Sequence, residues 1–348
     1  MNVARKHVAV IGGGVAGLTA AAALADRGIE VSLFEKAPVL GGHAAQLACK
    51  ATDSCVRCGA CVVQDKQQRA TGRSHVKIYT AATVDAISDR SPFDLHYRST
   101  SSVRADTGTF TADAILVATG FSTTDPVDKP YGYGRFPNVV TSLEAEGILR
   151  RAARMTRPSD GRPANRIAFV QCVGSRDVRM GHLWCSKICC GSSMRMARLI
   201  QFRNPEAQVT FFYIDVQTFG KDFDCVYRTA RDHFEMIRAI PGEIHPTGAD
   251  QLEAIYFDPD KRESTQSQFD VVVLSVGLQP SPGNAHLAGL LDYRLDVDGF
   301  MARHSNREQD TPTGIFTAGT ATGPMSVAES VSSAEQAAYD VIKCLGAK

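Results

Sequence analysis

Ten cysteines stand in this chain, and eight of them fall in two clusters whose spacing could do chemistry. The later cluster reads Cys172-x12-Cys185-x3-Cys189-Cys190. Cys172 ends a predicted strand, Cys185 and Cys189 share a face if that turn is helical, and Cys190 is adjacent. Four thiolates can thus converge at the mouth of one sheet. Without a partner histidine they suit an iron–sulfur cluster or a structural zinc, and the lack of C-x2-C knuckles favours the cluster. Buried or redox thiols around an ordinary loop are the plainer alternative. The earlier set, Cys49 and then Cys55-x2-Cys58-x2-Cys61, has the short spacing of part of a ferredoxin run. It reads as a second cluster, a thiol pair or an unmetallated loop, with a permanent second cluster the less favoured. Cys225 and Cys344 read as packing residues.

A second constellation opens the chain. Val8-Ala-Val-Ile-Gly12-Gly-Gly14-Val-Ala-Gly17 leads into an Ala-rich stretch that stops at Gly28, and Val31-Ser-Leu-Phe-Glu35-Lys36 follows. This is strand, tight turn, helix, strand, acid. Gly12 serves the turn, Gly14 leaves room against bare backbone, Gly17 allows close helix–sheet packing, and the helix N-terminal amides suit a pyrophosphate. Glu35 closes the second strand, where an acid can accept from a ribose hydroxyl. A dinucleotide site is therefore expected. The Gly41-Gly42 doublet resembles the second loop of two-dinucleotide flavoproteins and favours FAD over NAD. Lys36, Gln46 and Val84 join the expected FAD contacts, as do Ala118-Thr119-Gly120 and Gly319-Thr320. Ser326-Val-Ala-Glu329 is a capping box, and the helix start at Ala328-Glu329-Ser330 would aim N–H dipoles at the flavin.

These residues need two strand–turn–helix frameworks to position them. Strands over 74–80, 83–87 and 94–98, a turn near Asp106–Gly108 and a buried strand before Ala118 complete the first. Residues 122–137, rich in Pro, Gly and Asp, read as a linker. The second framework has a strand over 166–172, a helix over 191–202, a strand over 208–214, an amphipathic helix over 227–240 and a strand over 269–276 that ends at Gly277. Its first turn, Cys172-Val-Gly174-Ser175-Arg176, lacks the nucleotide fingerprint. The expected fold is α/β with two Rossmann-like domains, the second inserted in the first. Residues 1–125 and 281–348 form the FAD domain, and 126–280 form the second.

Lys+Arg (38) and Asp+Glu (37) nearly cancel, so no basic stripe points to nucleic acid, and no apolar run suggests a membrane span. The N-terminus enters the first strand almost at once, which leaves no room for a signal peptide and predicts a cytoplasmic protein, where disulfides are rare. No Ser-His-Asp set, HExxH or paired carboxylates suggest hydrolysis. His43 and His182 read as hydrogen-bonding bystanders near the site.

Gly41-Gly-His-Ala-Ala-Gln-Leu47, the Ser54-Cys-x2-Cys58 that follows, Tyr131-Gly-Tyr-Gly134, Cys172-Val-Gly-Ser-Arg-Asp177 and Cys185-x3-Cys189-Cys190 resemble HdrA, the flavin subunit of heterodisulfide reductases. The resemblance covers most of the chain. It implies a thioredoxin-reductase-like flavoprotein fold, FAD, and a [4Fe–4S] cluster on Cys172, Cys185, Cys189 and Cys190. It also implies a homodimer and the other subunits of a heterodisulfide-reductase-like complex as partners. Two departures matter. The methanogen proteins are longer, with added ferredoxin-type domains, so this chain is similar to the short form found in the heterodisulfide-reductase-like complex of sulfur-oxidising prokaryotes. Arg195 stands five residues after Cys190, where longer relatives tend to carry Lys. If that helix lies over the flavin, a guanidinium meets the isoalloxazine edge; otherwise Arg195 faces solvent with Arg198 and Arg203. The implied function is an oxidoreductase subunit that passes electrons between FAD and the cluster. The alternatives are an NAD(P)H-dependent disulfide oxidoreductase using Cys49, Cys55 and Cys58, against which the missing second fingerprint speaks, and an FAD-stabilised scaffold with a structural zinc.

Overall fold

The computed structural model describes residues 5–88, 91–100, 106–217, 223–302 and 313–347. It divides into two compact units: Met1–Ala45, Cys61–Ser122 and Pro280–Lys348, and Gln46–Ala60 with Thr123–Gln279. The expected span 1–125 is thus interrupted, because residues 46–60 belong to the second unit. The physical reason is local. Ala48 packs in that unit's core, and Lys50 forms an ion pair with Glu146 in which the two side chains are 3% and 2% exposed.

In the first unit, β1 (His7–Ile11) turns through three glycines into α1 (Val15–Ala25). That helix is buried almost all round, so small side chains rather than an amphipathic stripe let it sit between layers. β2 (Glu30–Phe34), α2 (Val62–Thr71) and β3 (Val76–Tyr79) follow. β4 (Ala82–Ile87), β5 (Phe93–Ser99) and β6 (Asp106–Ala112) then make an antiparallel sheet. The turn expected near Asp106–Gly108 is instead the start of β6, paired with Tyr97–Ser99. Thr107, Thr109 and Thr111 alternate there, and that β-favouring pattern outweighs the Asp and Gly. β7 (Ala114–Val117), wholly buried, re-enters the parallel sheet, and β8 (Phe121–Thr123) leads out.

The second unit begins its sheet earlier than the sequence reading allowed. β9 (Val139–Thr141) runs into α3 (Ser142–Arg151), which is started by a reciprocal Thr141–Glu144 capping box. β10 (Arg166–Val173), α4 (Cys189–Arg203), β11 (Gln208–Phe212), α5 (Phe223–His233) and β12 (Glu235–Ile237) follow. The amphipathic helix expected over 227–240 therefore ends at His233, because Glu235–Ile237 pair as a parallel edge strand on β11. β13 (Glu243–Pro246), β14 (Leu252–Asp258) and β15 (Glu263–Phe269) form an antiparallel meander. β16 (Val271–Val276) completes a parallel sheet of order β12-β11-β10-β16-β9.

β17 (Leu278–Pro280) returns the chain to the first unit, where α6 (Asn284–Leu291), β18 (Ile315–Thr317) and α7 (Val327–Cys344) finish a parallel sheet of order β18-β7-β1-β2-β3. Each unit thus carries its own parallel sheet whose central strand, β1 or β10, is followed by a helix. Among the described residues no helix is long and apolar enough to cross a membrane.

Candidate functional site

The β1–α1 turn is built as its glycines require. Gly12 has φ +113°, and a Cβ there would lie 2.2 Å from the Ala118 carbonyl oxygen. A Cβ on Gly17 would lie 1.8 Å from the Gly12 oxygen, so only glycine lets α1 approach β1. At Gly14 the opposite holds. It is the N-cap of α1 with no side-chain cap bond, and a Cβ there would meet nothing within 4 Å. This leaves open backbone beside a helix N-terminus, which suits an anion. The second glycine loop closes on it: the Gly41 amide donates to the Gly13 carbonyl at 2.8 Å.

Glu35, 7% exposed, accepts from the Gly13 and Ala37 amides, each at 2.7 Å. Lys36 beside it is exposed, and Val84 is buried in β4 where the pairing with β5 shifts register. The Ala118 amide donates to the Ile11 carbonyl, Thr119 donates to Asn284, and Gly120 is left-handed with Thr320 Oγ1 3.9 Å from where its Cβ would lie. The Gly319 amide donates to Ser333 Oγ at 3.0 Å. The expected capping box on α7 forms. It engages the Glu329 amide with Ser326 Oγ and its carboxylate with the Ser326 amide, while the Ser330 amide closes the first helical bond. Of the three helix-start residues, only Ala328 keeps an amide with no intrahelical acceptor. Gln46 ends the short helical turn Gly42–Gln46 and groups with the second unit.

In the second unit Cys172, Cys189 and Cys190 are buried and bonded to one another, and Cys185, half-buried, stands near enough to feel the charge of Cys172 and Cys190. Cys172 sits at φ +60° at an irregularity in β10, where the register with β16 shifts between Val170 and Val173. This strained conformation re-aims a side chain at the strand end. Cys185 does not share a helical turn with Cys189: the helix starts at Cys189, and Lys187 before it is left-handed. The Cys189 thiol is hydrogen-bonded to both Cys172 and Cys190 and stands well above the usual thiol range. Those bonds hold Cys172 below its ordinary value and bring Cys190 down to about 7. Burial raises Cys185, which also feels the charges of Cys172 and Cys190. Backbone amides reach the sulfurs, Lys187 to Cys185 at 3.3 Å and Gln217 to Cys190. The Arg176–Asp215 ion pair, 2.5 and 2.9 Å, stands beside the group. No three His, Cys, Asp or Glu side chains among the described residues stand in the geometry of a metal site.

The room that a nucleotide loop would use here is filled. A Cβ on Gly174 would lie 2.2 Å from Thr124, and one on Gly277 would lie 2.3 Å from Ser175 Oγ. Ser175 is hydrogen-bonded to Ser186, which accepts from the Leu278 amide, and Trp184 donates to the Leu278 carbonyl at 2.9 Å. Thr124, Ser186 and Trp184 went unread in the sequence, because isolated hydroxyls and one indole carry no spacing signal. Gln171, next to Cys172 and 4% exposed, has neither amide atom partnered among the described residues. Arg195 on α4 is not solvent-facing. Its Nη1 donates to the Gly191 carbonyl, its Nε is buried without a partner among the described residues, and the ionisable neighbour acting on it is Cys58. Arg198 is exposed, and Arg203 caps the Leu149 and Ala152 carbonyls.

Residues 10–73 match the profile of an NAD(P)-binding Rossmann-like domain. Thioredoxin reductase of T. acidophilum superposes with a TM-score of 0.64 at 19% identity, covering 97% of this chain and 99% of that one. This likeness establishes the thioredoxin-reductase-like fold. The HdrA subunit of the H(2):CoB-CoM heterodisulfide,ferredoxin reductase of Methanothermobacter thermautotrophicus is 37% identical over 234 residues, 64% of this chain and 36% of the relative. The second of two iron-sulfur HdrA subunits of the CoB--CoM heterodisulfide reductase of Methanopyrus kandleri is 30% identical over 97% of this chain and 64% of its own length. The chain therefore spans less than two thirds of these relatives. The kandleri alignment runs over 422 positions against the 348 residues of this chain, so that relative carries insertions within the shared region. Across nearly its whole length, the chain is a homologue of the HdrA subunits of heterodisulfide reductases.

Proposed function

We propose that the protein is an electron-transfer oxidoreductase subunit that holds FAD on its first unit and a [4Fe–4S] cluster on Cys172, Cys185, Cys189 and Cys190 of its second. The observation that carries this reading is the second turn. Cys172, Cys189 and Cys190 are hydrogen-bonded together at this turn, Cys185 stands near enough to feel the charge of Cys172 and Cys190, and Thr124, Ser175, Ser186 and Trp184 pack around the turn's glycines and strand end. Amide donors to sulfur and a nearby guanidinium suit ligating thiolates. FAD exchanges electrons singly or in pairs and the cluster exchanges them singly.

The residues of the first unit fit the dinucleotide. Gly12, Gly14 and Gly17 shape the pyrophosphate cradle with Gly41 and Gly42 over it. Glu35, whose oxygens each keep a lone pair beyond the backbone bonds, would accept from ribose. Lys36, Val84, Ala118–Gly120, Gly319, Thr320 and the α7 start with Ala328, Glu329 and Ser330 line the rest of the proposed site.

The relatives are named as subunits, which supports partner subunits in a heterodisulfide-reductase-like complex. We assign the chain to the sulfur-oxidising form of that complex, as a cytoplasmic homodimer. Ten free cysteines agree with a reducing compartment. The test is rapid mixing of anaerobic protein with NAD(P)H, followed by EPR of a dithionite-reduced sample. The expected result is an unbleached flavin on the mixing timescale and a cluster signal. Rapid bleaching by NAD(P)H with no cluster signal would overturn the reading in favour of a self-contained disulfide reductase.

A further inference from the structure

His43 lies in the short helical turn Gly42–Gln46, stacked on the Phe121 ring with centroids 4.4 Å apart and planes at 26°. Its Nε2 is 3.0 Å from the Phe121 carbonyl oxygen. A carbonyl only accepts, so Nε2 carries the proton. Burial and the charge of Lys36 hold the ring below the ordinary imidazole range, so it is neutral near pH 7. Nδ1 is then a bare lone pair. It is fully buried and has no hydrogen-bond partner among the described residues. Buried acceptors in folded proteins find donors, so this one implies a donor that the described residues do not supply.

The neighbours say where such a donor would come from. A Cβ on Gly42 would lie 3.4 Å from the Gly14 Cα, in the open cradle. Phe121 follows Gly120, whose own Cβ would point at Thr320. We infer that His43 Nδ1 accepts a hydrogen bond from an O–H or N–H of the bound FAD. The inference rests on the FAD reading of the first unit.

Three variants test it through FAD affinity of the apo-protein, followed by flavin fluorescence, with circular dichroism to check folding. His43→Gln keeps an amide donor for the Phe121 carbonyl but removes the Nδ1 acceptor; His43→Phe keeps only the stacking; His43→Asn keeps an acceptor near the Nδ1 position. The expected result is about tenfold weaker FAD binding for Gln and Phe, with Asn within about threefold of wild type. Repeating the Gln comparison with 3-methyl-FAD names the donor. No further loss on the analogue identifies the ring N3–H, and the same tenfold loss assigns the donor to a hydroxyl or the adenine amine; either result supports the acceptor role. Wild-type affinity in His43→Gln, or equal loss in all three variants, overturns the inference while leaving FAD binding intact. A wild-type chain that takes up no FAD overturns the inference and the function reading together.

Discussion

The two units place a turn at the same topological position, after the central strand of a parallel sheet and before a helix, and they fill it in opposite ways. The β1–α1 turn is residues 12–14, all glycine, with open space at Gly14 and uncapped helix amides. The β10–α4 turn is residues 174–188, packed with hydroxyls and Trp184, with Cys185 inside it and Cys172, Cys189 and Cys190 at its ends. One turn offers bare donors and room, which suits a large anion that arrives. The other offers sulfur donors and no room, which suits a compact centre assembled in place. Topology supplies the position, and turn length and side-chain volume decide the ligand.

The contrast breaks first at the sulfur end. Cys189→Ser should remove nearly all iron and the cluster EPR signal while FAD remains, whereas Cys58→Ser should leave iron content unchanged. Loss of FAD with the iron would mean that the two turns are not independent sites. Next comes the anchor of the segment between them. Lys50→Met leaves Glu146 buried without its partner, and about 3–5 kcal/mol of stability should go, read by denaturant unfolding. A change under about 1 kcal/mol would show that the segment relaxes freely.

The glycines sharpen the first turn itself. Gly17→Ala forces a methyl against the Gly12 carbonyl and should cost about 1–3 kcal/mol. Gly14→Ala meets nothing, so it should cost the apo-protein no more than the about 1 kcal/mol of a poorer N-cap while weakening FAD binding about tenfold. Smaller still is a pH effect at His43. Its folded value is depressed by burial, so the unfolded chain takes up the proton first. Its share of stability is complete above about pH 6.5 and falls as pH drops below that toward the folded value. Replacing His43 with Phe should flatten that part of the stability–pH curve. The smallest step is Ser326→Ala, which removes one half of the α7 capping box and should cost about 1 kcal/mol in thermal unfolding.

How much of this the sequence disclosed follows from how local each feature is. Gly12, Gly14, Gly17 and Glu35 are set by backbone conformation and close approach within one βαβ unit, so their types and spacing were readable. The four cysteines were readable as a set because few other groups do their chemistry. Their geometry was not, since Cys172 stands at a strand irregularity and Cys185 lies outside the helix, with the amide of left-handed Lys187 on its sulfur. The allegiance of residues 46–60 was hidden because a buried Lys50 looks like any surface lysine until Glu146 is found 96 positions away. The Thr141–Glu144 capping box was a usable signal for α3 that went unread. The Gln171 amide atoms, His43 Nδ1 and Arg195 Nε are polar atoms that only the packed structure reveals as buried and without partners among the described residues.

The central claim is that the second turn has exchanged a nucleotide for a cluster. It is tested most directly by counting iron, acid-labile sulfide, zinc and FAD in protein purified without oxygen. The account predicts about four iron and four sulfide for each FAD. A sample with FAD but neither iron nor sulfide, or with one zinc in their place, would contradict it.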